Sequence, residues 1–391
     1  MKLELCHQEF SKEEISEVVA SLTSGFVTMG DKVALFEKNF AEYIGVRHAV
    51  MVNSGSSANL LMVKALAKRL SPGDEVLLPA LSWSTTFWPV VQSGLKPVLV
   101  DCDPETLNIG PEQLEEALQR HPSAKALIVA HIMGNPAPMK ELQAVLYDHP
   151  MPILEDSCET LGSTYYGQKT GSFGVAGSFS FFYSHHMTTI EGGMIVTDDL
   201  NFAERCRVMR SHGWSRGLND PVFRREVEAL SDIDPRFLFI DEGYNLRPTE
   251  LNAAIGIHQL ASLDKRNTKR KIVNRKMMDI AREFSVDTIK VYEETDVALF
   301  AFPVMLENET ERDALSLHLE SNGIQTRPIV AGNLARHPGM AKHLASGLKL
   351  NGANKVSDCG LYWGLHPYVT DEQLMHLEKT LASHFKGVKA A

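Results

Sequence analysis

Close-spaced cysteines are what this chain most clearly lacks. Cys6, Cys102, Cys158, Cys206 and Cys359 are scattered and odd in number, which argues against a disulfide framework. None forms a C-x-C or C-x-x-C pair, so a zinc or iron–sulfur site has no local ligand set. No apolar run is long enough to span a bilayer. Met1-Lys2-Leu3-Glu4-Leu5 has none of the layout of a signal peptide, and a cytoplasmic protein without a membrane partner is expected. Basic residues are outnumbered: 39 Lys and Arg stand against 49 Asp and Glu, for a formal net charge of -10. A nucleic-acid partner, which calls for a basic face, is therefore not expected. There is no internal repeat, low-complexity segment or flexible linker. With 391 residues and 44% hydrophobic content, the chain has room for one large domain and a smaller one.

Short apolar runs alternate with helical segments. Val46–Val52, Glu75–Pro79, Pro97–Asp101, Ala126–Ala130 and Pro152–Asp156 read as strands. Their near-continuous apolar character is the pattern of a parallel sheet covered on both faces. Such sheets bind ligands outside the carboxyl ends of their strands. After the first strand, Asn53-Ser54-Gly55-Ser56-Ser57 opens a helix, where small residues let backbone N–H groups approach a phosphate. Gly55 and Ser56 are the candidates, although such a cluster alone is usually an N-cap. Trp83 follows the second strand and Asp156 ends the fifth. Taken alone, Trp83 is as readily a core aromatic and Asp156 a helix N-cap. Pro248 suits the first turn of another helix. From about residue 266 a Lys/Arg-rich helix begins. A strand at Val297–Phe302, a helix near Glu311–Asn322, the segment Gln325–Val330 and a helix from about Asp371 then make a smaller α+β unit. The expected fold class is α/β, with domains at 1–265 and 266–391.

One stretch organises the rest: Phe179-Ser180-Phe181-Phe182-Tyr183-Ser184-His185-His186-Met187-Thr188-Thr189-Ile190-Glu191-Gly192-Gly193. From residue pattern alone it is a buried strand, a turn and two incidental histidines. If extended geometry continues through the pair, only one of them faces a given side. The stretch resembles the cofactor-lysine segment of the DegT/DnrJ/EryC1/StrS sugar aminotransferase and dehydratase family. That segment reads F-S-F-F-x-T-K-N before E-G-G, and its lysine bonds covalently to pyridoxal phosphate (PLP). Here the lysine position is His185, and an imidazole cannot make that bond. The resemblance runs from Thr28-Met29-Gly30 to the C-terminal helix. It passes through Ser82-Trp83-Ser84-Thr85-Thr86, Glu155-Asp156 with Glu159, Ser211-His212-Gly213-Trp214, Gly243–Glu250 and Arg327-Pro328-Ile329-Val330.

The resemblance implies an aspartate-aminotransferase-type PLP fold, assembled as a homodimer with shared active sites. It implies PLP and pyridoxamine phosphate (PMP) bound non-covalently. Trp83 would stack on the pyridine, Asp156 would pair with its nitrogen and Glu159 would touch the cofactor. Gly55, Ser56 and Ser180 would meet the phosphate, joined by Asn245 from the neighbouring subunit. His185 would be the acid/base, its unperturbed pKa near 6.5 suiting proton transfer at neutral pH. Gly25, Phe26, Val27, Thr28, His212, Arg216, Arg247 and Arg327 would face the substrate. The implied reaction removes the C3 hydroxyl of a GDP-linked 4-keto-6-deoxyhexose, with L-glutamate as amino donor and 2-oxoglutarate and ammonia released. Its place would be in colitose-type dideoxysugar and O-antigen biosynthesis. Arginine–pyrophosphate contacts from Arg216 and Arg327 are equally compatible with CDP or UDP sugars. The lack of cysteine between Cys206 and Cys359 resembles the branch without an iron–sulfur cluster. Two other readings remain: an aminotransferase anchored on another lysine such as Lys169, and a non-catalytic PLP-fold regulator.

Overall fold

The computed structural model describes residues 1–229 and 231–388. Strands β1 (His48–Val52), β2 (Glu75–Pro79), β3 (Lys96–Val100), β4 (Ala126–Ala130) and β5 (Ile153–Asp156) are separated by helical crossovers. A short hairpin of β6 (Thr164–Tyr165) and β7 (Gln168–Lys169) precedes β8 (Ala176–Ser180) and β9 (Gly193–Thr197). Seven of these form the larger sheet, in the order β1-β9-β8-β5-β4-β2-β3. β2, β3, β4, β5 and β8 run parallel, whereas β9 is antiparallel to both β1 and β8. A parallel return needs a long crossover, usually a helix. The connection through residues 181–192 contains no helix, so β9 turns back beside β8. That connection carries both histidines.

The covering helices are α1 (Lys12–Ser24), α2 (Asp31–Ile44), α3 (Gly55–Ala67), α4 (Ser84–Gln92), α5 (Pro111–Arg120), α6 (Met139–Val145) and α7 (Leu200–Arg210). After α8 (Pro221–Glu228) and α9 (Glu250–Ala261) comes the long α10 (Leu263–Glu283). Pro248 does not enter the first turn of α9. Thr249 is the N-cap, closed by a reciprocal bond with Asn252, and the proline stands before it.

A smaller antiparallel sheet follows, ordered β10 (Asp287–Thr288), β12 (Phe302–Met305), β14 (Gly360–Trp363) and β13 (Thr326–Pro328). β11 (Thr295–Asp296) joins the β6–β7 hairpin instead. Helices α11 (Glu309–Ser321), α12 (Pro338–Ala341), α13 (Asn351–Cys359) and α14 (Asp371–Val388) complete this part. The strand expected at Val297–Phe302 begins only at Phe302. Its backbone groups have other partners: Phe300 N–H donates to the Met133 carbonyl, and the Ala298 carbonyl lies 2.8 Å from His186 Nε2. The expected division at 265/266 falls inside α10. One apolar cluster runs through Val50, Leu78 and Ile128 under the larger sheet and Phe302, Leu361 and Leu377 of the smaller part. The N-terminus also crosses over, because Leu3 pairs in parallel with Ile324.

A buried ion pair fastens α2 to β1 and α7. Arg210 Nη1 donates to Glu37 Oε1 at 2.6 Å, and the same oxygen accepts from Met51 N–H at 2.8 Å. Replacing Glu37 by alanine leaves the Arg210 charge and the Met51 N–H without that acceptor. Glu37→Ala should therefore cost about 3–5 kcal/mol, seen as a lower urea midpoint. A midpoint equal to wild type would show that α2 is held by apolar packing alone.

Candidate active site

The carboxyl ends of β1, β2, β4, β5 and β8 open into one cavity of about 560 Å³. α3 begins at its edge. Ser54 caps the helix by accepting from Ser57 N–H at 3.1 Å. Gly55 packs against β8 so closely that an added Cβ would stand 2.6 Å from the Cβ of Ser180. A Cβ on Gly193 would strike the Ser54 carbonyl. Two strands and a helix N-terminus therefore meet without side chains between them. Free N–H groups and the positive end of the helix dipole face the cavity there, a cradle suited to a phosphate.

Asp156 sits at the centre. Asn59 Nδ2 on α3 and Thr86 Oγ1 on α4 each donate to its Oδ2 at 2.7 Å. Cys158 N–H donates to Oδ1 at 3.3 Å. The carboxylate is thus fixed from three sides with its head toward the cavity. Trp83 precedes α4 and is 57% exposed, an indole presented to the cleft rather than a core aromatic. Glu159 accepts from Met133 N–H at 2.7 Å. Burial raises its pKa to about 7, with the neighbouring Asp156 charge acting the same way. Just past β4, the neighbour of β5, His131 Nδ1 accepts from Ala137 N–H at 3.0 Å, which places its proton on Nε2, 3.1 Å from Glu155 Oε2.

Strand geometry ends at Ser180, so His185 and His186 lie in a turn and not on an extended strand. They still point apart. His185 lines the cavity, and its Nδ1 has no hydrogen-bond partner. His186 is buried and directs Nε2 to the Ala298 carbonyl at 2.8 Å. Burial lowers the His185 pKa to about 4, with Asp156 pulling upward and Arg270 downward. This is below the 6.5 expected from sequence and keeps the ring neutral at pH 7. The His186 pKa is also lowered, by burial first and by Arg270 next.

Gly55, Ser56, Trp83, Asp156, Glu159, Ser180, His185 and Arg327 all line this cavity. The remaining expected residues do not. Val27 of the Gly25, Phe26, Val27 and Thr28 loop accepts from Glu250 N–H at 3.2 Å. Asn245 pairs with Ser211 and accepts from Arg247 Nε at 3.1 Å. His212 N–H donates to the Tyr244 carbonyl, and the Arg216 guanidinium stands 4.8 Å from the Trp214 ring. Among the described residues no lysine lines the cavity. Lys169 instead places its ammonium 4.5 Å from the Tyr43 ring.

Several lining residues escaped the sequence reading. His131 lies just past β4 and was open to the strand-end rule that found Asp156. Cys6 and Phe300 had no local signal. Cys6 arrives through the Leu3–Ile324 pairing, and Phe300 lies in the stretch expected to be a strand. Cys6 and Cys158, distant in sequence, line the same cavity. Among the described residues no group of three or more His, Cys, Asp or Glu side chains is arranged to hold a metal ion.

Residues 8–382 match the profile of the DegT/DnrJ/EryC1/StrS aminotransferase family. The GDP-4-keto-6-deoxy-D-mannose 3-dehydratase of Escherichia coli O55:H7 is 36% identical over 377 residues, covering 94% of this chain and 96% of the relative. The structure of the E. coli GDP-4-keto-6-deoxy-D-mannose-3-dehydratase with bound hydrated PLP superposes with a TM-score of 0.89 at 34% identity, over 97% of this chain and 99% of that one. A GDP-4-keto-6-deoxymannose-3-dehydratase with a trapped PLP-glutamate geminal diamine gives the same score and identity, over 97% of this chain and all of that one.

Stability should register the Glu159 carboxyl directly. Its folded pKa lies above the unfolded value, so the native state holds the proton more tightly and loses stability as pH rises from about 4.5 to 7. Relative to Glu159→Gln, wild type should lose about 1–3 kcal/mol across that window, water in the cavity screening part of the effect. Denaturation midpoints that stay parallel from pH 4.5 to 7.5 would contradict the raised pKa.

Proposed function

The chain belongs to the DegT/DnrJ/EryC1/StrS aminotransferase family, and from that membership we propose that it is a PLP/PMP-dependent nucleotide-sugar 3-dehydratase. Its substrate is a nucleotide-linked 4-keto-6-deoxyhexose, GDP-4-keto-6-deoxy-D-mannose, with L-glutamate as amino donor and 2-oxoglutarate and ammonia as further products. The observation that carries this reading is His185. It stands at the cavity in the position where a transaminase of this family has its lysine, and no other described lysine takes over that place.

The residues present fit the cofactor. The N-terminus of α3, with Gly55, Ser56 and Ser180, suits its phosphate. Asp156 suits a protonated ring nitrogen, and the exposed Trp83 indole suits the face of the ring. Bound there, the cofactor supplies an amino carrier and an electron sink. Asp156, held by Asn59 and Thr86, keeps the ring-nitrogen proton in place. His185, neutral at pH 7, would take and return the proton at the C4' carbon, the position a lysine amine would otherwise serve. Arg327 on the cavity wall is available to the substrate pyrophosphate.

Asn245, Arg247, His212, Arg216 and the Gly25–Thr28 loop fit a different role. They cluster outside this chain's own cavity, and in a homodimer they would complete the partner's. Ile15, Val19, Leu22 and Phe26, apolar and more than half exposed along α1 and the following loop, support an interface on that side. No described helix is long and apolar enough to cross a membrane. A cytoplasmic place in dideoxysugar and O-antigen synthesis accords with this reading, and no iron–sulfur cluster is needed.

His185→Asn should bind PMP and sugar but slow dehydration by about 10² to 10⁴, whereas His186→Asn, if it folds normally, should be much milder. Turnover of His185→Asn within a few-fold of wild type would end the assignment. Intact mass after borohydride treatment should equal the cofactor-free mass, because no lysine holds the cofactor. A stable adduct on any lysine would favour the aminotransferase.

A further inference from the structure

Arg270 on α10 is 3% exposed. No carboxylate answers it among the described residues. Its Nη1 donates to the carbonyls of Leu299 at 3.3 Å and Phe300 at 3.1 Å, and to that of Leu365. Arg266, one turn earlier on the same face, is also buried and directs its guanidinium to Gln259. Burial lowers the Arg270 pKa to about 10, so the group is still charged at neutral pH. A buried charge without a counter-charge is costly, and such departures from ordinary packing are retained where a site depends on them.

The carbonyls it holds belong to a stretch that touches both histidines. The Phe300 ring lies 5.2 Å from the ring of His185 and 6.4 Å from that of His186. The Ala298 carbonyl is the partner of His186 Nε2. Phe300 N–H donates to the Met133 carbonyl at 2.9 Å, and Ala298 N–H donates to Ser163 Oγ at 3.0 Å. This stretch is therefore pinned from the β4 end, from Ser163, from His186 and, among the described residues of α10, by Arg270.

We propose that Arg270 is a positioning residue of this site, a buried guanidinium whose Nη1 holds the carbonyls of residues 299 and 300 where they set the ring of His185. The role rests on His185 being the base. Its charge acts on the same ring, adding to the burial that keeps His185 neutral. The other charged or titratable groups around that ring are Asp156, Cys158 and Glu159 beyond β5, His131 beyond β4, Cys6, His186, Glu191, Arg327 and Tyr362. Lysine at position 270 would keep the charge and lose the planar guanidinium whose Nη1 reaches the three carbonyls. Methionine would lose both.

The test is a pH titration of the histidine Cε1–H resonances in the full-length, cofactor-stripped chain, with His185 assigned by its loss in His185→Asn. Phe300→Leu marks where the resonance falls without the ring. In Arg270→Lys it should move toward that position with its titration midpoint near wild type, and in Arg270→Met the midpoint should also rise. In the loaded enzyme Arg270→Lys should lower kcat for dehydration by about 10-fold to 100-fold with KM little changed. A resonance and kcat in Arg270→Lys equal to wild type would overturn the proposal, as would an unmoved midpoint in Arg270→Met. If Arg270→Met does not fold, Arg270→Lys against Phe300→Leu decides. A wild-type chain inactive on every sugar would instead count against the dehydratase reading, and the resonance positions would still decide the role of Arg270.

Discussion

Glu155 and Asp156 are adjacent on one strand and face opposite ways, and the site hangs on that division. Glu155 is fully buried. It accepts from the N–H groups of Gly171, Phe173 and Gly174 at 2.6–2.8 Å and faces His131. A buried carboxylate is tolerable only when satisfied in this way, and charge-assisted bonds are the strong ones. Four groups thereby tie the turn before β8 to the ends of β5 and β4. That turn sets where β8 starts, and β8 sets where Ser180 ends and the histidine turn begins. Asp156, one residue on, emerges on the cavity side of a strand whose register its neighbour has fixed.

This arrangement explains which parts of the site were legible. Gly55, Trp83 and Asp156 lie just past strands recognisable as apolar runs, and the strand-end rule of parallel sheets finds such positions without knowledge of the ligand. The opposite hand of β9 was not legible, because an apolar run looks alike in either direction. Phe300 and Arg270 were hidden for a related reason. Val297–Phe302 has the composition of a strand, yet its carbonyls serve Arg270 and His186 in place of a ladder. Arg270 reads as one more cation on a Lys/Arg-rich helix, and only its burial separates it from its solvated neighbours. Cys6 depends on a pairing between Leu3 and Ile324 that leaves no trace in local pattern.

The two histidines show how much rests on surroundings. They are consecutive, and burial depresses both pKa values. Asp156 partly offsets this for His185 alone, and only His185 lines the cavity. His186 spends its Nε2 on the Ala298 carbonyl and belongs to the packing beneath. The sequence resemblance pointed to His185, and His185 is the member of the pair that lines the cavity, for a geometric reason the resemblance did not contain. The chain turns after Ser180, and the turn aims one ring at the cavity and the other at the 298–300 stretch.

Replacing an anchoring lysine by histidine also shifts the burden of holding a cofactor. With no covalent bond available from position 185, retention would fall to the non-covalent contacts of the cavity. On the proposed reading these would be the α3 N-terminus, closed so tightly on β8 that only glycine fits at 55, the carboxylate fixed by Asn59 and Thr86, and an exposed indole. The first two are held by main chain or by buried partners, so little of their freedom remains to be lost when a ligand binds. A rigid, pre-formed cradle is what a non-covalently bound cofactor requires. On the proposed reading the same freedom from a covalent tether would leave the space beside the reacting carbon to an imidazole, which can move a proton but cannot capture the carbon itself.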